Sequence, residues 1–233
     1  MSKKTAGFVA LAVVLAAIFV PLGFWQLRRL DERRHRNAVL AARLSEPPRP
    51  IESLADTLSY LRATVTGTPD SANEIILTRR SRDGSPGVYI LTPVRPRAEG
   101  DSATIVVRGW VYAPDAATAD PTRWREARPM FSGYTAILPT TVVAARGPAT
   151  TKRDRRIPTL SASAVRALLP YPVRSRYVVS QDSAADTTPA RLPLPVLDDG
   201  PHLSYAIQWF SFAAIALVGA GIIVFRARVS PDT

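Results

Sequence analysis

The sequence predicts a membrane α+β protein, with two transmembrane helices flanking an antiparallel, β-rich domain of small-barrel type. Three observations carry this. From Thr5 to Leu27, and again from Leu203 to Phe225, there is no charged side chain. At 1.5 Å per residue each run reaches about 33 Å, enough for a hydrocarbon core of about 30 Å. Between them, short β-branched segments alternate with turn residues and show no long helical period. Strands joined by short loops favour an antiparallel sheet or small barrel over an α/β fold.

The first element is a tail, residues 1–5, and the next is the first transmembrane helix, 6–27, with Pro21 near its far end, where a kink is tolerated. Lys3 and Lys4 before an apolar stretch resemble a signal peptide. The stretch is too long for one, however, and ends in Pro21-Leu22-Gly23-Phe24-Trp25 and arginines, not at a small-residue cleavage site, so a retained anchor is expected. Arg28, Arg29, Arg33, Arg34 and Arg36, with Asp31 and Glu32, extend the helix into water over 28–45. Glu46-Pro-Pro-Arg-Pro50 stops it.

The central domain is expected over 46–200. Strands are predicted at Leu61–Gly67, Glu74–Arg79, Val88–Val94, Thr104–Tyr112 and Arg176–Ser180, with one or two more in Met130–Val143. Pro93 marks an edge or a strand end. Asp83–Gly87 reads as a loop and Thr159–Leu169 as a short helix with serines at its start. Alternation in Thr104–Tyr112 puts Ile105, Val107 and Gly109 on one face and Val106, Arg108 and Trp110 on the other. Gly109 inside a strand points to a bulge or a close backbone approach, so Arg108-Gly109-Trp110 is expected to be structural, with Trp110→Ala costing about 3–5 kcal/mol if Trp110 is buried. Gln181–Gly200 is a polar, proline-rich loop leading to the second transmembrane helix, 203–225, and a tail, 226–233.

Composition excludes several chemistries. With no cysteine, disulfides, iron–sulfur clusters, thiolate zinc sites and covalent c-type haem are ruled out. No Gly-rich phosphate loop, GxSxG or HExxH is present, and no enzyme is expected. The formal charge of +11 is mostly arginine. The basic residues crowd near membrane ends and are not interleaved with aromatics, which argues against nucleic acid and for anionic lipid.

The start of the second helix holds the candidate site. Pro201 suits a first helical turn. His202, Tyr205, Trp209 and Phe212 come next, at spacings that place them on one side. Trp25 and Gln26 end the first apolar run. Two readings fit the aromatic residues: an interfacial belt of amphipathic rings, or flat walls beside a ligand. His202 is likewise either a polar residue at a helix entrance or an axial ligand for haem iron. Position and neighbours do not choose between them. The other histidine, His35, lies in a charged segment and is expected to be dispensable.

Four segments together resemble the Surfeit locus protein 1 family. They are Leu22-Gly23-Phe24-Trp25-Gln26-Leu27-Arg28-Arg29, Gly87-Val88-Tyr89-Ile90-Leu91-Thr92-Pro93, Val107-Arg108-Gly109-Trp110-Val111 and His202-Leu203-Ser204-Tyr205-Ala206-Ile207-Gln208-Trp209-Phe210. Their order and the helix–domain–helix layout match the family over nearly the whole chain. One departure is Tyr112, where the family usually has proline. The start of the first helix so near Met1, with no presequence ahead of it, resembles bacterial members.

The resemblance implies an assembly factor for haem-copper cytochrome c oxidase that binds haem A and assists its insertion into subunit I. Subunit I and haem A synthase would be its partners. His202 would be the iron ligand, and Tyr205, Trp209 and Trp25 would line the haem. The resemblance also implies a multi-pass inner-membrane location with the central domain outside the cytoplasm. Arginine counting opposes this, since Arg28, Arg29, Arg33, Arg34, Arg36 and Arg43 flank the domain against Lys3, Lys4, Arg226 and Arg228 on the tails. The rule weakens for long translocated domains, and the family orientation is adopted. The competing function class is a structural adaptor that binds oxidase subunits without handling haem.

Overall fold

The computed structural model describes residues 2–55, 57–97, 102–126, 128–140, 155–182 and 189–229. They divide into two compact units, one of residues 1–41 with 196–233, the other of residues 42–195.

The first unit is a helix pair. Helix α1, Lys3–Ser45, contains Pro21 without interruption, and helix α3 spans His202–Val229. Both are long and apolar enough to cross a membrane. Each is sparsely buried within the protein, leaving side chains such as Val14, Ile18, Ile215 and Val218 exposed.

The second unit is built on one sheet. Its strands are β1 (Arg49–Pro50), β2 (Arg62–Thr66), β3 (Thr68–Pro69), β4 (Ile75–Arg82), β5 (Ser85–Arg95), β6 (Ala103–Tyr112), β7 (Met130–Ile137), β8 (Arg156–Ile157) and β9 (Val173–Ser180), with helix α2 at Ala162–Leu168. The order is β1-β2-β7-β9-β6-β5-β4-β8, with β3 on β5. Of the one or two strands expected in Met130–Val143, β7 is one, and residues 141–143 lie outside the described residues.

The expectation of an antiparallel, barrel-like sheet is corrected. The sheet is mixed and open: β6–β9, β1–β2 and β4–β8 pair in parallel. The reason is topological. The chain leaves β6, forms β7, passes through α2 and returns as β9 between β7 and β6, which makes β9 parallel to β6. Such pairs need a long crossover, and α2 is part of it. The ends of the sheet are the two-residue strands β1 and β8, too short to close on each other.

Local chemistry accounts for the elements. Ser161 caps α2, its hydroxyl accepting from the Ala164 amide. The β4–β5 connection is tighter than the expected loop: Asp83 and Gly84 form a two-residue hairpin turn with φ of 50° and 79°. Pro93 lies between the β4 ladder, which ends at Leu91, and the β3 ladder, which begins at Val94, so its missing amide costs no bond on that side. Both faces of β6 are buried. Ile105 and Val107 pack with Ile75, Leu91 and the α2 residue Val165, while Val106 packs with Val65, Phe131 and Val178.

Candidate functional site

In the helix pair, small residues set the contact. Ala206, Ala213 and Ala220 recur every seven residues on the inner face of α3. Opposite them, Ala12, Ala16, Gly23, Gln26 and Leu30 are buried on α1. Small side chains let two helix backbones approach where apolar burial gives little drive in lipid. At Gly23 the fit is closest, since a Cβ there would lie 2.6 Å from the Phe210 ring. Aromatic rings complete the seam: Phe19 stacks on Trp209 with centroids 5.5 Å apart, and Phe24 meets Phe210 edge to face at 5.2 Å.

His202 lies at the head of the inner stripe, four residues before Ala206. Its Nδ1 is 2.9 Å from Oε1 of Gln26. An amide oxygen can only accept, so the neutral tautomer that fits this contact donates from Nδ1 and has its lone pair on Nε2, the arrangement a metal-binding imidazole needs. The other candidates are placed differently. Trp209 is half-buried against Phe19 and Phe212. Tyr205 is 46% exposed and Trp25 47% exposed. The structure thus joins His202 to Gln26 and Trp209 to Phe19.

Below His202, the approach to α3 is tied to the basic stretch of α1. Arg33 pairs with Asp198 and Arg34 with Asp199, while Asn37 donates to the Asp198 carbonyl at 2.6 Å. Asp198 and Asp199 therefore act as ion-pair partners as well as preceding a helix start. Among the described residues no cluster of metal-ligating side chains forms around His202.

In the sheet unit, the principal feature missed in the sequence is a buried ion network on Arg108. Arg108 is 1% exposed. Its Nη1 reaches Glu74 at 2.8 Å and its Nε reaches Glu126 at 3.2 Å. Thr92 donates to the same Glu74 oxygen at 2.7 Å. Arg191 and Arg128 also pair with Glu126, and Arg191 Nη1 donates to the Arg108 carbonyl at 2.7 Å. The two carboxyls respond oppositely. Burial raises the Glu74 pKa despite Thr92 and Arg108. Burial also acts on Glu126, but the hydrogen bond from Arg191 and the charges of Arg108 and Arg191 outweigh it and hold Glu126 below the usual carboxylate value.

Backbone geometry delivers Arg108 to this network. Ile90 pairs with Gly109 and Leu91 with Val107, so Arg108 is the extra residue of a bulge. Gly109 has φ of 151°, and a Cβ there would lie 2.4 Å from the Ala190 carbonyl oxygen. That approach lets Trp110 and Ala190 exchange both backbone hydrogen bonds. The expected bulge and close approach are therefore both present. Trp110 itself is half-buried, and its indole covers Gly87, where a Cβ would lie 2.2 Å from Nε1. One signal in the sequence pointed to the network: a charge within the apolar run Thr104–Tyr112 must find a counter-charge once buried.

The four segments singled out in the sequence thus form two contact pairs. The first and fourth meet at Gln26–His202 and Gly23–Phe210, and the second and third at Thr92–Arg108 and Gly87–Trp110. Two membrane-length helices meeting at a histidine, with a sheet domain carrying a buried arginine between them in sequence, define the class of protein by its architecture. The chain belongs to the SURF1 family, known as a cytochrome c oxidase assembly family, whose sequence model matches residues 13–214. It is 27% identical to a SURF1-like protein of Rickettsia felis, over 94% of this chain and 96% of the relative. It is 25% identical to an uncharacterized SURF1-like protein of Mycobacterium bovis, over 95% of this chain and 86% of the relative. A SURF1-like protein of Rickettsia conorii is also 25% identical, over 95% and 92%.

Proposed function

We propose that this protein is a membrane-embedded assembly factor for haem-copper cytochrome c oxidase that binds haem A and assists its insertion into subunit I. Subunit I, haem A synthase and anionic lipid are its partners in this reading, and it performs no catalytic step. Both helices cross the inner membrane, and the sheet unit lies outside the cytoplasm.

The observation that carries the haem assignment is the His202–Gln26 hydrogen bond. It orients the imidazole and leaves Nε2 as the donor atom. The donor chemistry fits haem iron, which takes histidine as an axial ligand. The helix seam itself is filled by Gly23–Phe210 and Phe19–Trp209 contacts, so a macrocycle has no slot between those rings. Tyr205 and Trp25 instead offer exposed ring surface, and Trp209 backs the seam. Haem A is amphipathic and partitions to the depth of an interfacial aromatic belt.

The test is the visible spectrum of detergent-purified full-length protein co-expressed with haem A synthesis. His202→Ala is expected to lose the bound haem while still inserting and folding, and His35→Ala to retain it. Gln26→Leu is expected to weaken haem retention by about 10–100-fold, the range for partners that orient a ligating histidine. Full haem occupancy in His202→Ala would overturn the ligand assignment. A wild-type protein without haem would leave the adaptor reading.

A further inference from the structure

A groove runs along α1 at the point where its uncharged run ends. Its volume is about 480 Å³, and Phe24, Leu27, Arg28, Asp31 and Glu32 line it. Phe24, Leu27, Arg28 and Asp31 follow the i, i+3, i+4, i+7 spacing of one helix face. That face lies beside the one turned to α3, on which Gly23, Gln26 and Leu30 are buried. Phe24 borders the helix contact through Phe210, yet is 54% exposed.

The groove presents its chemistry in order along the helix axis. Phe24 and Leu27 belong to the last apolar turn, and Arg28 is the first charge beyond it. Asp31 and Glu32 come one turn further out, about 4.5–6 Å along the axis. Arg28 and Asp31 are exposed, and neither side chain takes a hydrogen bond or ion pair among the described residues. Glu32 accepts from Arg29 at 2.7 Å, and a carboxylate has acceptor capacity beyond one such bond.

This order selects a headgroup. An anion alone would satisfy Arg28 but face the carboxylates of Asp31 and Glu32, and a cation alone would face Arg28. A zwitterion with its anion next to the hydrocarbon and its cation one turn further out matches both. Phosphoethanolamine has that order, since its phosphate is joined to the glycerol that carries the acyl chains and its primary ammonium lies two carbons beyond. The ammonium brings three N–H donors to the carboxylates. The trimethylated nitrogen of phosphocholine brings none, and the glycerol of phosphatidylglycerol brings uncharged hydroxyls, which bond more weakly to a carboxylate than an ammonium does.

We propose that this groove binds one ethanolamine phospholipid, with an acyl chain on Phe24 and Leu27, the phosphate on Arg28 and the ammonium on Asp31 and Glu32. The inference rests on α1 crossing the membrane and is independent of haem binding.

Energy transfer from tryptophan to a dansyl group on the lipid acyl chain tests it, with the full chain in phosphatidylcholine nanodiscs. Trp25 adjoins Phe24 in sequence, and labelling the acyl chain leaves the headgroup intact. Labelled phosphatidylethanolamine is expected to saturate the transfer at about a tenfold lower mole fraction than labelled phosphatidylcholine or phosphatidylglycerol. Asp31→Asn and Arg28→Gln lie at exposed positions where folding is not threatened. Asp31→Asn is expected to lose most of the preference for phosphatidylethanolamine over phosphatidylglycerol, and Arg28→Gln to weaken both. Equal transfer from the three lipids overturns the proposal. So does phosphatidylglycerol at or above phosphatidylethanolamine, which marks a diffuse effect of the basic residues. An unchanged preference in Asp31→Asn, or unchanged binding in Arg28→Gln, overturns it too. A chain that stays in solution without detergent overturns the membrane placement along with this inference, whereas a detergent-requiring chain without lipid preference overturns this inference alone.

Discussion

Arg108 illustrates how one side chain commits its surroundings. A guanidinium at 1% exposure is tolerated because Glu74 and Glu126 face it at hydrogen-bond distance. Arg108→Met leaves both carboxylates buried without that partner, and is expected to destabilise the protein by about 3–5 kcal/mol. Replacing Arg108, Glu74 and Glu126 together by apolar residues of similar volume should recover much of that loss. Chemical unfolding of the full chain in detergent checks both. An unchanged midpoint in Arg108→Met would show that the network contributes nothing. The acids also set a pH dependence. Glu126 has a folded pKa below its unfolded value, so its contribution is present above the unfolded carboxylate range, near 4.3 for Glu, and lost as pH falls through the folded value. Glu74 has the opposite sign, since its raised pKa makes the folded state favour the proton and stability fall as pH rises past the ordinary range. Glu126→Gln is therefore expected to flatten the acid limb of a stability–pH profile, and an unaltered acid limb would contradict the assignment. Trp110, being half-buried, should cost less on truncation to Ala than the about 3–5 kcal/mol of a fully buried aromatic.

At the scale of elements, the two helices are held by shape and the sheet by register. Gly23 accepts the Phe210 ring into the space a side chain would take. Gly23→Leu is expected to force the helices apart, lowering the thermal midpoint and, where haem is bound, its retention. Phe210→Ala in the same chain should restore part of the loss, because the cavity receives the new side chain. Additive effects in the double variant would mean that the contact is not formed. The bulge at Arg108 and the exchange of hydrogen bonds between Trp110 and Ala190 fasten the chain at residues 189–191 to β6. Arg191 adds its bonds to Glu126 and to the Arg108 carbonyl at the same place. The polar loop expected over Gln181–Gly200 is thus strapped to the sheet in the part that is described.

For the whole molecule, arginine counting and the proposed orientation predict opposite sides for the sheet unit. The structure bears on the count. Arg33 and Arg34 are matched by Asp198 and Asp199, and Arg29 by Glu32. Acidic neighbours contribute little to the orientation rule, so these pairs do not reverse it. The proposed orientation is expected to show a cytoplasmic reporter fused after Thr233 as active and an export-dependent reporter inserted near Asp120 as active. The reverse pattern would place the sheet unit in the cytoplasm and remove the reason for preferring the family orientation.

Periodicity and composition, both properties of the sequence alone, determined the elements of this protein. Uncharged runs of membrane length at each end required two long apolar helices, and β-branched segments bounded by turn residues marked most strands within a few residues. Gly109 within an apolar strand announced the bulge, since only glycine adopts that backbone without strain. The resemblance carried by four segments placed the chain in its family. Tertiary structure decided the features that depend on long-range contact. Strand direction is invisible in a local pattern, so the parallel insertion of β9 beside β6 appeared only in the fold. The partners of Arg108 lie at Glu74 and Glu126, on either side of it in sequence, and no spacing rule pairs them. Helical spacing put His202 on the same side of α3 as Trp209. That its Nδ1 meets Gln26, while Trp209 turns to Phe19, depends on how closely Gly23 and Ala206 let the two backbones approach.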